Sequence, residues 1–115
     1  MEIAVTEKNG ICIFGISGDI DLYSAPDLHR KYLDLTIKKA ASPVIIDLQK
    51  TAYLDSSGIG VLVQILSDAR SRKVPFYLCN IHGMVEKLFH LSRMSSILPI
   101  EKTLEQALEK IRMEK

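Results

Sequence analysis

The feature that most constrains this chain is a strand–helix–strand pattern at its centre. Residues 44–48 (VIIDL) form a short, β-branched apolar run, and residues 75–79 (PFYLC) form a second. Between them Ile59, Leu62, Val63, Leu66 and Ala69 recur at helical spacing. That spacing predicts an amphipathic helix over 59–72, with Arg70 and Arg72 at the C-terminal end that favours cations. Strands joined through a helix run parallel in one sheet. A parallel sheet needs helices over its faces, so the flanking sequence must supply cover.

The flanks read accordingly. Residues 3–7 (IAVTE) alternate as a strand, Asn9-Gly10 is a two-residue hairpin turn, and residues 11–17 (ICIFGIS) return as a strand apolar enough for burial on both faces. GDIDLYSAP then reads as a loop. Ser24 is expected to cap the next helix, with Pro26 and Asp27 in its first turn. Leu28, Tyr32 and Leu35 face inward there, Ile37 lies at the margin of that face, and the helix ends near Ala41 before Ser42-Pro43. Beyond residue 79, residues 83–91 predict a short helix with Val85, Leu88 and Phe89 inward, and residues 96–99 (SILP) a last edge strand. Residues 103–113 predict a helix opened by the capping-box pattern T-L-E-Q, with Leu104, Ala107, Leu108 and Ile111 on one face. The expected fold class is α/β: one domain over residues 1–115, a mixed, mainly parallel sheet with an N-terminal β-hairpin, and about four helices mainly on one face. Ile13, Val44, Ile46, Leu62, Leu66, Phe76, Leu78 and Leu88 are expected in its core.

A chain of 115 residues can bury such a core without metals or disulfides. Its formal net charge of +1 gives no global field toward nucleic acid or an acidic membrane. Cys12 and Cys79 lie inside apolar segments with no CxxC spacing and read as free, buried thiols in a reducing compartment. The N-terminus carries no signal-peptide pattern, and no apolar run approaches membrane-spanning length. The expectation is a cytoplasmic monomer, with no membrane and no direct nucleic-acid partner.

Loops at the carboxyl ends of parallel strands are where α/β proteins keep their sites. One such loop carries YLDSSGIG (residues 53–60), with the loops 18–23 and 80–83 and the turn around Arg93 as candidate neighbours. The loop stands at a helix N-terminus, whose unpaired N–H groups and partial positive charge Asp55, Ser56 or Ser57 can satisfy. Gly58 and Gly60 each cost about 1 kcal/mol relative to Ala in a helix, so they imply that another backbone or a bulky group comes close. A phosphate would be well placed there. Other chemistries fit poorly. A serine nucleophile lacks a GxSxG elbow, and His29, His82 and His90 read as helix-surface or entry-turn residues. Cys12, Cys79 and His82 have no zinc spacing, Asp19 and Asp21 are only a fragment of a calcium loop, and GISG at 15–18 is too short for a dinucleotide fingerprint. No catalytic residue, metal or cofactor is assigned.

The whole chain resembles the anti-sigma factor antagonists, bacterial regulators built on the STAS domain. The resemblance rests on GDIDLYSAPDL (18–28), VIIDLQKTAYLDSSGIGVLV (44–63) and MVEKLFHL (84–91). It implies a regulator without enzymatic activity of its own. Unmodified, such a protein binds an anti-sigma factor that is also a serine kinase, and so frees a sigma factor. Phosphorylation by that kinase releases the antagonist, and a serine phosphatase restores it. Carried onto this chain, the acceptor is Ser56. Asp19, Asp21, Ser24, Leu54, Asp55, Ser57, Gly58 and Ile59 fall on the partner surface, and Gly58 and Gly60 leave room for the kinase. Ser57, nearer the first helical turn, is expected to cap the helix, leaving Ser56 turned outward. The alternative within the same family is a ligand-sensing or scaffold module of another signalling or lipid-trafficking complex. A domain with its own start and C-terminal helix is not expected to be a transporter tail.

Overall fold

A computed structural model describes residues 1–114. The elements follow in the order β1 (Glu2–Lys8), β2 (Ile11–Ser17), α1 (Ala25–Lys38), β3 (Val44–Lys50), α2 (Ser56–Arg72), β4 (Phe76–Cys79), α3 (Gly83–Leu91), β5 (Ile100–Glu101) and α4 (Leu104–Met113). A single 3₁₀ turn, Met94–Ser96, precedes β5. The five strands lie in sequence order. β1 pairs antiparallel with β2, and every later pair is parallel. Asn9 and Gly10 take φ +54° and +80°, the positive values that a tight hairpin turn demands and that these two residue types tolerate.

Both faces of the sheet are covered, unequally. Phe14, Ile16, Val44, Ile46, Leu48 and Leu78 enter the larger core with the inner faces of α1, α2 and α3. Ile11, Ile13, Ile45 and Cys79 point the other way, against Ala107 and Ile111 of α4 alone. The central strands therefore carry apolar residues on both faces, as their unbroken apolar runs required. Every expected core residue is buried except Leu88, which is only partly so.

Several boundaries differ from the sequence expectation, each for a local reason. α1 stops at Lys38 because Lys39 leaves helical dihedrals while its N–H bonds to the Leu35 carbonyl, and Ile37 is 82% exposed. The last strand is Ile100–Glu101 and not residues 96–99. There Ser96, Ile97 and Leu98 spend their N–H groups closing turns on Arg93 and Met94, and Pro99 has none. α2 starts at Ser56, three residues earlier than expected, and its buried stripe is Gly58, Val61, Leu62, Ile65, Leu66 and Ala69. Ile59 and Val63 lie at the margin of that stripe, only partly buried.

Helices α1 and α2 are joined by a polar contact as well as by packing. The Tyr32 hydroxyl donates to Asp68 Oδ2 at 2.5 Å, and Arg72 Nε donates to the same oxygen at 2.7 Å. Burial pushes the Asp68 carboxyl up, but these two hydrogen bonds and the Arg72 charge outweigh it and hold the group below its usual value. A carboxyl depressed in the folded state contributes stability that is complete above its unfolded value, about 3.9, and lost as the pH falls further. Tyr32→Phe is therefore expected to lower stability by about 1 kcal/mol at pH 7 and by less at pH 2, below the ordinary carboxylate range. Urea unfolding at the two pH values checks this; an equal loss at both would mean that the bond to a charged carboxylate is not its source.

Candidate functional site

The loop after β2 and the loop after β3 are laced together along their backbones. Ile20 N–H donates to the Tyr53 carbonyl at 3.1 Å, and Asp55 N–H donates to the Ile20 carbonyl at 3.2 Å. Ile20 and Leu54 thus form an isolated parallel bridge beyond the ends of their strands, with both side chains buried. Gly18 N–H adds a bond to the Lys50 carbonyl at 3.0 Å. This lacing brings the expected loops 18–23 and 54–58 together. The 80–83 loop joins the 44–50 strand through His82 Nε2, 2.8 Å from the Gln49 carbonyl, and through Asn80 Nδ2, which donates to Asp47 at 2.9 Å. Arg93 makes no hydrogen bond to this group among the described residues.

The glycines separate into two roles. A Cβ at Gly58 would lie 2.9 Å from the Ile20 carbonyl oxygen and 3.1 Å from both Ile20 Cγ2 and Leu54 Cβ. The backbone that approaches Gly58 is thus the protein's own, and the expectation that this glycine leaves room for a kinase is corrected. Among the described residues, outside its own helical turn, nothing lies within 4 Å of where a Gly60 side chain would begin. Its lack of a side chain serves no internal contact. It opens a shallow groove between α1 and α2, lined by Leu22, Pro26, His29, Ser57 and Gln64.

The cap of α2 is Asp55, whose Oδ1 accepts from Ser57 N–H at 2.9 Å and Gly58 N–H at 3.3 Å. Ser57 is not the cap. The extended backbone of Asp55 (φ −109°, ψ −169°) aims its short carboxylate back at the first turn, whereas Ser57 is already helical. Neither serine hydroxyl has a hydrogen-bond partner among the described residues. What separates them is access: Ser56 is exposed on the first turn, and Ser57 is half-buried at the edge of the groove.

Asp21 and Ser24 also serve their own loop. Asp21 Oδ1 accepts from the N–H groups of Tyr23 and Ser24, both at 3.0 Å, and Ser24 Oγ accepts from Asp21 N–H at 2.9 Å. Ser24 therefore does not cap α1, whose side-chain cap is absent. The bond from Ser24 N–H, with those from its hydroxyl and from Tyr23, holds the Asp21 carboxyl below its ordinary value. Asp19 lies exposed beside them, its carbonyl accepting from Ser24 Oγ at 3.0 Å. Of the remaining expected surface residues, Leu54 and Gly58 are buried and Ile59 is half-buried, so these residues hold the loop more than they present it. Sequence reasoning placed the 19–24 loop, with Leu22 and Tyr23, beside Ser56 but singled out none of the exposed apolar residues there and missed Tyr53 and Met84. Leu22 (64% exposed) and Tyr23 (87%) stand on one side; Tyr53 and Met84 (69%) stand on the other, where they line a small hollow with Ser56 and Leu88. The available signal was apolar side chains placed in loops that no periodicity assigns to a core.

Residues 2–107 match the STAS domain family. The chain belongs to the STAS domain family. Among its relatives is the anti-sigma-B factor antagonist of Listeria monocytogenes, 31% identical over 101 residues that make up 88% of this chain and 87% of that protein. Among solved structures, an anti-sigma factor antagonist from Mycobacterium paratuberculosis superposes with a TM-score of 0.82 at 24% identity, covering 96% of this chain and 93% of the other. The Bacillus anti-sigma factor antagonist SpoIIAA, at 16% identity and over 96% of this chain, gives 0.72 in its unphosphorylated form and 0.71 in its phosphorylated form, covering 98% and 99% of that chain. These structures share the STAS fold described above.

The division of labour at the helix start is testable in this STAS domain. Gly58→Ala is expected to destabilise the protein by about 2 kcal/mol through overpacking against backbone, while Gly60→Ala stabilises it by about 1 kcal/mol. Thermal and urea unfolding of both variants measure this, and equal signs would refute it. By the same methods Asp55→Ala is expected to cost about 1 kcal/mol and Ser57→Ala only a few tenths; the reverse ranking would return the cap to Ser57.

Proposed function

We propose that this chain is an anti-sigma factor antagonist of the partner-switching kind. The reading is that its unmodified form binds an anti-sigma factor that is also a serine kinase, and that Ser56 is the switch. The kinase transfers the γ-phosphoryl group of ATP to Ser56 Oγ, with ADP leaving and the hydroxyl proton passing to a base of the kinase. A serine phosphatase reverses the step by hydrolysis. On this reading the protein has no catalytic activity of its own, works in the cytoplasm as a domain over residues 1–115, and needs neither membrane nor nucleic acid.

The observation that carries the proposal is the placement of Ser56. Its hydroxyl is exposed at the first turn of α2, uncommitted to any bond among the described residues, directly after the Asp55 carboxylate that caps the helix. A phosphate there brings about −1.5 to −2 charge into a turn that already holds one carboxylate. The helix N-terminus tolerates some of that charge. A partner fitted against the same turn does not, so release follows from repulsion and bulk with the fold kept. The kinship with anti-sigma factor antagonists, and the near-equal fit to one such protein in its phosphorylated and unphosphorylated forms, support this reading.

The partner surface then spans Asp19, Asp21, the exposed Leu22 and Tyr23, Ser56 and the open groove at Gly60. Asp21 and Ser24 shape the loop through their mutual bonds, so a change at Asp21 should alter binding and stability together.

Phosphopeptide mapping after incubation with ATP and the cognate kinase tests the switch. Wild-type protein is expected to carry the phosphate on Ser56, Ser57→Ala to be modified at the same residue, and Ser56→Ala to fold, bind the kinase and stay unmodified. Ser56→Asp should bind more weakly than wild type but better than the phosphorylated form, since one carboxylate brings less charge and fewer acceptor oxygens. Modification of Ser56→Ala at Ser57 to wild-type extent would move the site. Saturable small-molecule binding without any phosphoryl transfer would favour the ligand-sensing alternative.

A further inference from the structure

We infer that β1 is a pairing edge for a second copy of this chain, giving a two-fold dimer with one continuous sheet. β1 is seven residues long, contains no proline, and is unbroken by any bulge in its register with β2. It is the outer strand of the sheet, and among the described residues its backbone is paired only with β2. The two-residue turn at Asn9-Gly10 fixes which groups face outward. Lys8 and Ile11 close that turn as a hydrogen-bonded pair, so Thr6, Ala4 and Glu2 also direct their backbone groups to β2. Ile3, Val5 and Glu7 direct theirs away from the sheet.

This alternation restricts how two copies can pair. Outward groups must meet outward groups, which excludes every register shifted by one residue. The antiparallel register that overlaps the whole strand centres the two-fold axis on Val5. Val5 then exchanges both bonds with Val5 of the other copy, and Ile3 exchanges both with Glu7. In that register Glu2 lies opposite Lys8 at each end, in the non-hydrogen-bonded pairs whose side chains come closest. The charges that usually deter an edge strand from pairing are here self-complementary. Val5, 37% exposed, gains an apolar neighbour at the axis. Glu7 is already neutralised by Lys39 of its own chain and does not oppose Ile3 with a free charge. Shifting the register by two residues in either direction shortens the overlap and separates the Glu2–Lys8 pairs. The two copies run antiparallel, so their Ser56 turns lie at opposite ends of the joined sheet and stay open to partners.

The dimer should be weak, since one strand pair buries less than a standard interface. Sedimentation equilibrium on the full chain, from about 10 μM to about 1 mM, tests it. Wild type is expected to pass from monomer to dimer over this range. Val5→Pro removes an N–H that faces outward, so it should keep the native circular dichroism spectrum and remain monomeric. Glu2→Lys and Lys8→Glu should each weaken self-association about tenfold, and an equimolar mixture of the two should restore it, because each then meets its opposite charge. A wild-type chain monomeric to the top of the range overturns the proposal. So does a dimer indifferent to the charge substitutions or not rescued by mixing, whatever the behaviour of Val5→Pro.

Discussion

The carbonyl of Ile20 occupies the space that a side chain at position 58 would need, and most of the site depends on that contact. It lets the loop after β2 lie against the first turn of α2 and accept the Asp55 N–H. Asp55 is then held in the extended conformation from which its carboxylate caps the helix. With the cap in place, Ser56 becomes the first helical residue and turns outward. The same lacing buries Leu54 and Ile20, so the loop carries its own apolar anchor. A flexible loop would lose entropy on every encounter with a partner; this one has lost it on folding. On the proposed function, that rigidity suits a surface to be read in one shape and spoiled by one added charge.

How much of this was legible beforehand follows from the kind of signal involved. The strands at 11–17 and 44–48 were readable because burial on both faces demands unbroken apolar runs. The hairpin was readable because Asn-Gly is nearly specific for positive φ at both positions. The phase of α2 was misread because Gly58 belongs to its buried stripe, and a glycine contributes nothing to a hydrophobic pattern. Placing the helix start three residues late made Ser57 look like the cap. The identity of the group crowding Gly58 could not be read either: Ile20 is 38 residues away in sequence, and only the parallel pairing of β2 with β3 brings it near. Asp21 was readable as an acidic loop residue but not as the acceptor that shapes its own loop, since such short-range bonds depend on backbone angles that composition does not fix.

The two glycines of one short motif stand in opposite surroundings. Gly58 is required by the interior, and its helix cost is offset by the packing it permits. Among the described residues nothing crowds Gly60, so its helix cost is not offset by packing. On the proposed function, its open face belongs to the partner surface. The exposed Leu22 and Tyr23 beside it follow the same logic, as apolar area left in water.

The unequal covering of the sheet has a consequence for the thiols. Cys12 belongs to the core under three helices, whereas Cys79 lies against α4, a ten-residue helix that covers its face alone. Burial pushes the Cys79 thiol up to about 12, and the carboxylates of Asp47 and Glu105 add to this. In the closed protein it is therefore almost wholly protonated and shielded, and inert to alkylating reagents at neutral pH. Its reaction needs an opening of the fold around it, and the lifting of α4 is the smallest one that uncovers this face. Cys79 is in effect a built-in clock for that opening, and its labelling rate in native buffer would time the excursions of the terminal helix.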